Sequence, residues 1–191
     1  MDGKTFFASL CNIVGQENAR RYAMRFGPLD HAFSIENVLN YEALAFYAYS
    51  TELNYYEIIN RELWSENATQ DVLLFEEVLN GALAKLTPYV LNDRVAYRGY
   101  SAPHLAAFVR NYQPGATVVF RGFTSASFRE DMAFGGNVLF IIRTLTGKAI
   151  WHLAAKYEEF EVLIPSGKKF EILDVEFRQR DRALIYLEEL P

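Results

Sequence analysis

Residues 157–165 read YEEFEVLIP, three carboxylates set hard against an apolar run. Val162, Leu163 and Ile164 have the make-up of a buried strand. Glu161 opens that strand and Glu159 stands two residues before it, while Glu158 reads as part of a solvated rim. If the stretch is extended, Glu159, Glu161 and Leu163 point to one face and Phe160, Val162 and Ile164 to the other. Two carboxylates on one face beside a core repel each other unless a cation or hydrogen-bond donors sit opposite. For Glu159 and Glu161 two readings stand open: a solvated acidic rim at the strand's start, or a pair held by partners from elsewhere in the chain.

Working outward, the texture from Asp93 onward is strand-like. RVAYRGY, ATVVFRGF, NVLFIIRTL, KFEILDVEF and RALIYLEEL are rich in β-branched and aromatic residues, and QPGA, FGGN, LTGK and PSGKK supply turns between them. SAPHLAAFVRNY reads as a short capped helix. The first ninety residues differ. SIENVLNYEALAFYAYS, with Ser34 as its N-cap, LNYYEIINRELW and TQDVLLFEEVLNGALAKL repeat apolar residues at three- and four-residue spacing. Pro88 and the following LND end that helical half. Helices first and strands later indicate an α+β fold rather than alternating parallel α/β. With no repeat or linker, the expectation is a single domain over residues 1–191, helical over 1–90 and strand-rich over 91–191.

Composition narrows the classes. Hydrophobic residues make up 51% and aromatics 15% of 191 residues, so the chain has the material for a core. Nineteen Lys and Arg against 24 Asp and Glu give a net charge of −5, which disfavours a nucleic-acid partner. Cys11 is the sole cysteine, which excludes an intrachain disulfide and a four-thiolate zinc site. His31, His104 and His152 are scattered without metal-ligand spacing, so no metal is expected. There is no secretory signal pattern and no run long enough to span a membrane. Asn67–Thr69 matches a glycosylation sequon, read as coincidence. The phosphate cradles G-x-G-x-x-G and Walker A are absent, as is the G-x-S-x-G elbow.

Two other stretches carry chemistry. In AYRGY, Arg98 sits among strand formers with Gly99 behind it. Such a guanidinium either forms a structural ion pair or holds an anion such as phosphate, and Gly99 permits close backbone approach. In RGFTSASF, alternation places Ser125 and Ser127 on one strand face. The stretch is either a plain strand end or the place where a hydroxyl positions another side chain; no histidine follows at a spacing that favours a nucleophile.

Taken in order, YRG, FTSAS and EFEVLIP resemble the R-S-E class of mono-ADP-ribosyltransferases, whose pattern is an aromatic-Arg-Gly strand, F-x-S-T-S, and E-x-E before VLIP. ALAFYAYSTELNYYEIINREL, NVLFIIRTLTGKAI and KKFEILDVE resemble the family's flanking segments, so the likeness covers roughly residues 40 to 180. Ala126 departs from the family's middle Thr; by alternation it faces away from Ser125 and Ser127 and affects packing more than chemistry.

The resemblance implies N-terminal helices beside a two-sheet β-sandwich core, with NAD, as substrate, in a cleft. It implies cleavage of the nicotinamide–ribose bond and transfer of ADP-ribose to an arginine of a target protein, since the first glutamate of the pair is Glu and not Gln. Glu161 would stabilise the charge developing on ribose, and Ser125 would hold Glu161. Arg98 would bind NAD phosphates, the Gly99 backbone would meet the nicotinamide amide, and Glu159 would orient the acceptor guanidinium. Ser127 joins the NAD site, Arg129 would reach a phosphate and Phe134 would stack on nicotinamide. For Tyr157, contact with the protein substrate and simple packing are both open. An effector or toxin acting in a target cell, with an immunity protein as an optional partner, fits the compact chain; so does an intracellular enzyme. A glycohydrolase using water, or a non-catalytic interaction domain, are the competing readings.

Overall fold

The computed structural model describes residues 1–191 apart from 35–36, 52–54, 66, 134 and 179–180. These residues form two compact units, one of residues 1–87 with 150–157, the other of 88–149 with 158–191.

The first unit is helical: α1 (Gly3–Val14), α2 (Gln16–Ala23), α3 (Asn40–Tyr49), α4 (Tyr55–Trp64) and α5 (Gln70–Lys85). Side-chain caps start two of them. The Asp2 carboxylate accepts from the Thr5 amide and the Thr69 hydroxyl from the Val72 amide, each satisfying an orphan donor of a first turn. Gly15, at φ +82°, joins α1 to α2 in a conformation that favours glycine. The sequence NYEALAFYAY is apolar nearly all round, and α3 is correspondingly buried on nearly every side. Its Glu42 is tolerated there because it accepts from the Leu39 amide at 2.8 Å and from Lys85 Nζ at 2.6 Å. The expected start at Ser34 is corrected: this helix begins at Asn40, where Glu42 caps it from within. Residues 35–36, which the expected helix also included, lie outside the described residues. No described helix is long and apolar enough to cross a membrane.

The second unit holds β1 (Val95–Tyr100), α6 (Leu105–Val109), β2 (Thr117–Phe120), β3 (Thr124–Ser127), β4 (Val138–Arg143), β5 (Lys148–Ala149), β6 (Glu161–Ile164), β7 (Lys168–Phe177) and β8 (Ala183–Glu189). The strands run in the order β2-β7-β8-β4-β1-β3-β6-β5, antiparallel except for the parallel pair β4–β8. This α+β arrangement agrees with the reading from sequence, while among the described residues the strands hydrogen-bond as one sheet and the two-sheet detail is not separated. One residue pair, Tyr97↔Ser127, links β1 to β3 and joins both strand groups into one ladder.

A core of Phe120, Phe140, Ile142, Phe170, Ile172, Ile185 and their neighbours packs this unit. A smaller apolar cluster joins Tyr89, Ala96, Ala126 and Val162. Ala126 thus spends its side chain on packing. The buried Glu189 is fully engaged, accepting from the Thr144 and Thr146 hydroxyls and from the Leu145 and Thr146 amides, which fixes the turn leading out of β4.

Candidate active site

Strand β6 is anchored by Val162, Leu163 and Ile164, all fully buried, and this fixes the backbone of Glu161 at its head. The ladder sets Glu161 opposite Ser127, and Ser127 opposite Tyr97, so three side chains stand abreast on neighbouring strands. Ser125 lies two residues from Ser127 on the same strand face. Arg98 comes from the next position of β1, and its Nη1 donates to the Ser125 carbonyl oxygen at 2.7 Å. That bond uses one of the five N–H donors of the guanidinium.

Arg98, Ser125, Ser127, Glu159 and Glu161 together line one recess, with Tyr97, Met132 and Ala133 among its other walls. All belong to the strand-rich unit. Glu161 is only 4% exposed. Burial pushes its carboxyl up to about 7; the Ser125 hydroxyl, by hydrogen bonding to it, and the Arg98 charge pull it down, whereas the Glu159 charge raises it further. Its Oε2 is buried with no hydrogen-bond partner among the described residues. A buried carboxylate oxygen left unmatched is destabilising, and such groups recur where a ligand supplies the missing donor.

The condition that EFEVLIP is extended holds only from Glu161 onward. Tyr157–Glu159 form a helical turn, and Phe160 takes φ +49°, so the strand begins only at Glu161. A bulky residue in the left-handed region is an outlier that costs about 1–2 kcal/mol. Glu159 consequently reaches the recess from a turn and not from the strand.

The other expected residues are distributed as follows. Gly99 lies in β1 opposite Leu139, adjoining Arg98. Ser127 Oγ accepts from the Arg129 amide at 3.1 Å, which ends β3. The Arg129 guanidinium is engaged by Asp131 through two hydrogen bonds and lies over the Phe160 ring, 5.3 Å from its centre. Phe134 lies outside the described residues. Tyr157 is 68% exposed. Tyr97, the aromatic residue of YRG, carries no assigned role from sequence, and the ladder places it abreast of Ser127 in the recess wall. The left-handed Phe160 had no sequence signal, because glycine or asparagine would ordinarily mark such a position. Among the described residues, no group of three His, Cys, Asp or Glu side chains could hold a metal ion.

The model of the NAD:arginine ADP-ribosyltransferase family matches residues 16–191, and the chain belongs to that family. A relative from Serratia proteamaculans (strain 568), NAD(+)--protein-arginine ADP-ribosyltransferase Tre1, is 28% identical over 184 residues, covering 94% of this chain and 40% of its own. The chain spans less than half the length of the bacterial relatives it matches. Among solved structures, the type III effector XopAI from Xanthomonas axonopodis pv. citri superposes with a TM-score of 0.77 at 22% identity, over 99% of this chain and 87% of that one. The ADP-ribosyltransferase Vis of Vibrio splendidus, in complex with agmatine, gives 0.65 at 22% identity over 92% and 84%. Both share the fold.

Proposed function

We propose that this chain is a mono-ADP-ribosyltransferase that cleaves NAD between nicotinamide and ribose and moves ADP-ribose to an arginine side chain of a target protein. The observation that carries this reading is the buried Glu161 carboxylate, one oxygen without a partner among the described residues, set in one recess with Arg98, Ser125 and Glu159. The residues suit a phosphorylated ribosyl donor: an acceptor for a ribose hydroxyl, and a guanidinium with donors to spare for phosphate oxygens.

NAD supplies the labile bond, whose electron pair leaves with nicotinamide while positive charge develops on the ribose carbon. Glu161 accepts a ribose hydroxyl and its carboxylate stabilises that charge, as carboxylates do in glycoside cleavage. Ser125 fixes the Glu161 rotamer beforehand. Arg98, already held against Ser125, fixes the phosphates, and Gly99 leaves its backbone open to the nicotinamide amide. Ser127 closes the wall beside Glu161. Glu159 orients the incoming guanidinium and accepts the proton it loses as its nitrogen bonds the ribose carbon.

The agmatine in the Vis structure is a guanidino compound and supports arginine as acceptor. Similarity to effectors and toxins supports a bacterial effector that acts on a host or rival protein, with a partner immunity protein as a natural safeguard. A family match that runs through both compact units supports their working as one domain.

The test is incubation with labelled NAD and agmatine, comparing wild type with Glu159→Ala and Glu161→Ala. Glu161→Ala should lose transfer and hydrolysis alike, by about 10²–10³ in rate. Glu159→Ala should lose transfer and keep hydrolysis. Hydrolysis without transfer in wild type would replace this reading with a glycohydrolase, and a folded wild type that consumes no NAD would overturn it.

A further inference from the structure

The residue between the two glutamates is held in an unfavourable backbone conformation by a set of contacts that no catalytic role explains. Phe160 sits at φ +49° between the turn Tyr157–Glu159 and strand β6. Its ring packs against Phe128 with centres 5.1 Å apart, and the Arg129 guanidinium covers it at 5.3 Å. Arg129 is in turn gripped by Asp131. The Phe160 carbonyl accepts from the Phe128 amide at 3.3 Å, and the Phe128 carbonyl accepts from Asn92 Nδ2 at 2.7 Å. A ring tilted against an aromatic neighbour and lying under a guanidinium makes attractive contacts on both sides. Together they over-determine a conformation that Phe would otherwise avoid.

The consequence is geometric. Were Phe160 extended, Glu159 would lie two strand positions, roughly 7 Å, back along the chain from Glu161. The left-handed residue instead breaks the strand, and Glu159 lines the same recess as Glu161, close enough for its charge to act on it.

We propose that Phe160 is a positioning residue, clamped by Phe128 and Arg129, that sets Glu159 beside Glu161 and thereby decides whether ADP-ribose passes to a guanidino acceptor or to water. The inference rests on the transferase reading above. It gives Arg129 the task of holding the glutamate turn, in place of a phosphate contact.

Three variants test it: Phe160→Gly, which keeps the left-handed backbone accessible but removes the ring; Phe160→Tyr, which keeps the ring; and Asp131→Asn, an exposed change that releases Arg129. Each is assayed for agmatine transfer and nicotinamide release in the same reaction. Amide hydrogen exchange of residues 157–161 is measured without NAD. Phe160→Gly should lower the transfer-to-hydrolysis ratio by about tenfold or more while KM for NAD moves less than about threefold. Its exchange over 157–161 should accelerate. Phe160→Tyr should keep the wild-type ratio and exchange, and Asp131→Asn should shift both in the direction of Phe160→Gly by a smaller factor. Should Phe160→Gly not fold, Asp131→Asn carries the test alone. A wild-type ratio and exchange in the folded variants overturns the positioning role, as does a parallel fall of both activities with a raised KM for NAD. A wild type that consumes no NAD overturns the enzymatic reading instead, so the two failures are distinguishable.

Discussion

Glu161 joins two demands that conflict in water-free surroundings. The proposed catalysis needs the carboxylate, and burial favours the acid, so the group is pushed up to about 7. The sign for stability follows from proton binding. Between the ordinary glutamate range and pH 7 the folded state holds a proton that the unfolded chain has released. Stability from this group is therefore full in acid and lost as pH rises toward 7. A rise of this size corresponds to roughly 3 kcal/mol. Glu161→Gln, neutral and of the same shape, should match wild type at pH 4 and gain about 3 kcal/mol at pH 8, read from urea midpoints. An equal change at both pH values would contradict the buried-acid account. For wild type, kcat/KM for NAD should climb through about pH 7 as Glu161 ionises, because that parameter reports the free enzyme.

The elements deliver these side chains, and the sequence announced most of the elements. β-branched runs broken by Gly turns marked the strands, and the order Arg98, Ser125, Glu161 marked which strands line the recess. What escaped reading was set by contacts distant in sequence. Alternation applies only to an extended Phe160, but the ring and backbone amide of Phe128 and the guanidinium of Arg129, some thirty positions earlier, hold it left-handed. Ser34 is a good cap by residue type, yet α3 starts at Asn40 because Glu42 can cap it and pair with Lys85 at once. A single pair, Tyr97↔Ser127, decides between one ladder and two sheets, and no local pattern encodes it. The end of β1 is set just as narrowly. Asn137 exchanges two hydrogen bonds of 2.8 Å with the Ala102 backbone. A Cβ at the neighbouring Gly136 would lie 2.3 Å from the Tyr100 carbonyl oxygen. Gly136→Ala must therefore displace backbone, and it should destabilise by roughly 1–3 kcal/mol. Because Tyr100 closes the strand that carries Arg98, KM for NAD should rise with it; a denaturation midpoint and an NAD titration check the pair of effects.

At the scale of the whole molecule, the family match begins at residue 16 and leaves α1 outside it. Packing within the helical unit gives α1 a part in that unit's core all the same. Phe6 and Leu10 are fully buried and Val14 nearly so. The Phe6 ring lies 5.8 Å from Phe75 of α5 and 5.9 Å from Tyr41 of α3. The Ser9 hydroxyl donates to the Asp71 carboxylate at 2.8 Å, and Asn12 Nδ2 donates to the same side chain at 3.0 Å. An apolar stripe at positions 6, 10 and 14 buried against two other helices contributes to the unit's core and does not ride on it as an appendage. Phe6→Ala should destabilise by about 3–5 kcal/mol, the range for emptying a buried aromatic site. That is a large share of the 5–15 kcal/mol typical of a whole domain. Removal of residues 1–15 exposes Phe75 and Tyr41 as well, and should abolish the cooperative helical transition followed by circular dichroism. A truncated chain that unfolds at the wild-type midpoint would show that the fold is complete from residue 16 onward and that α1 only decorates it.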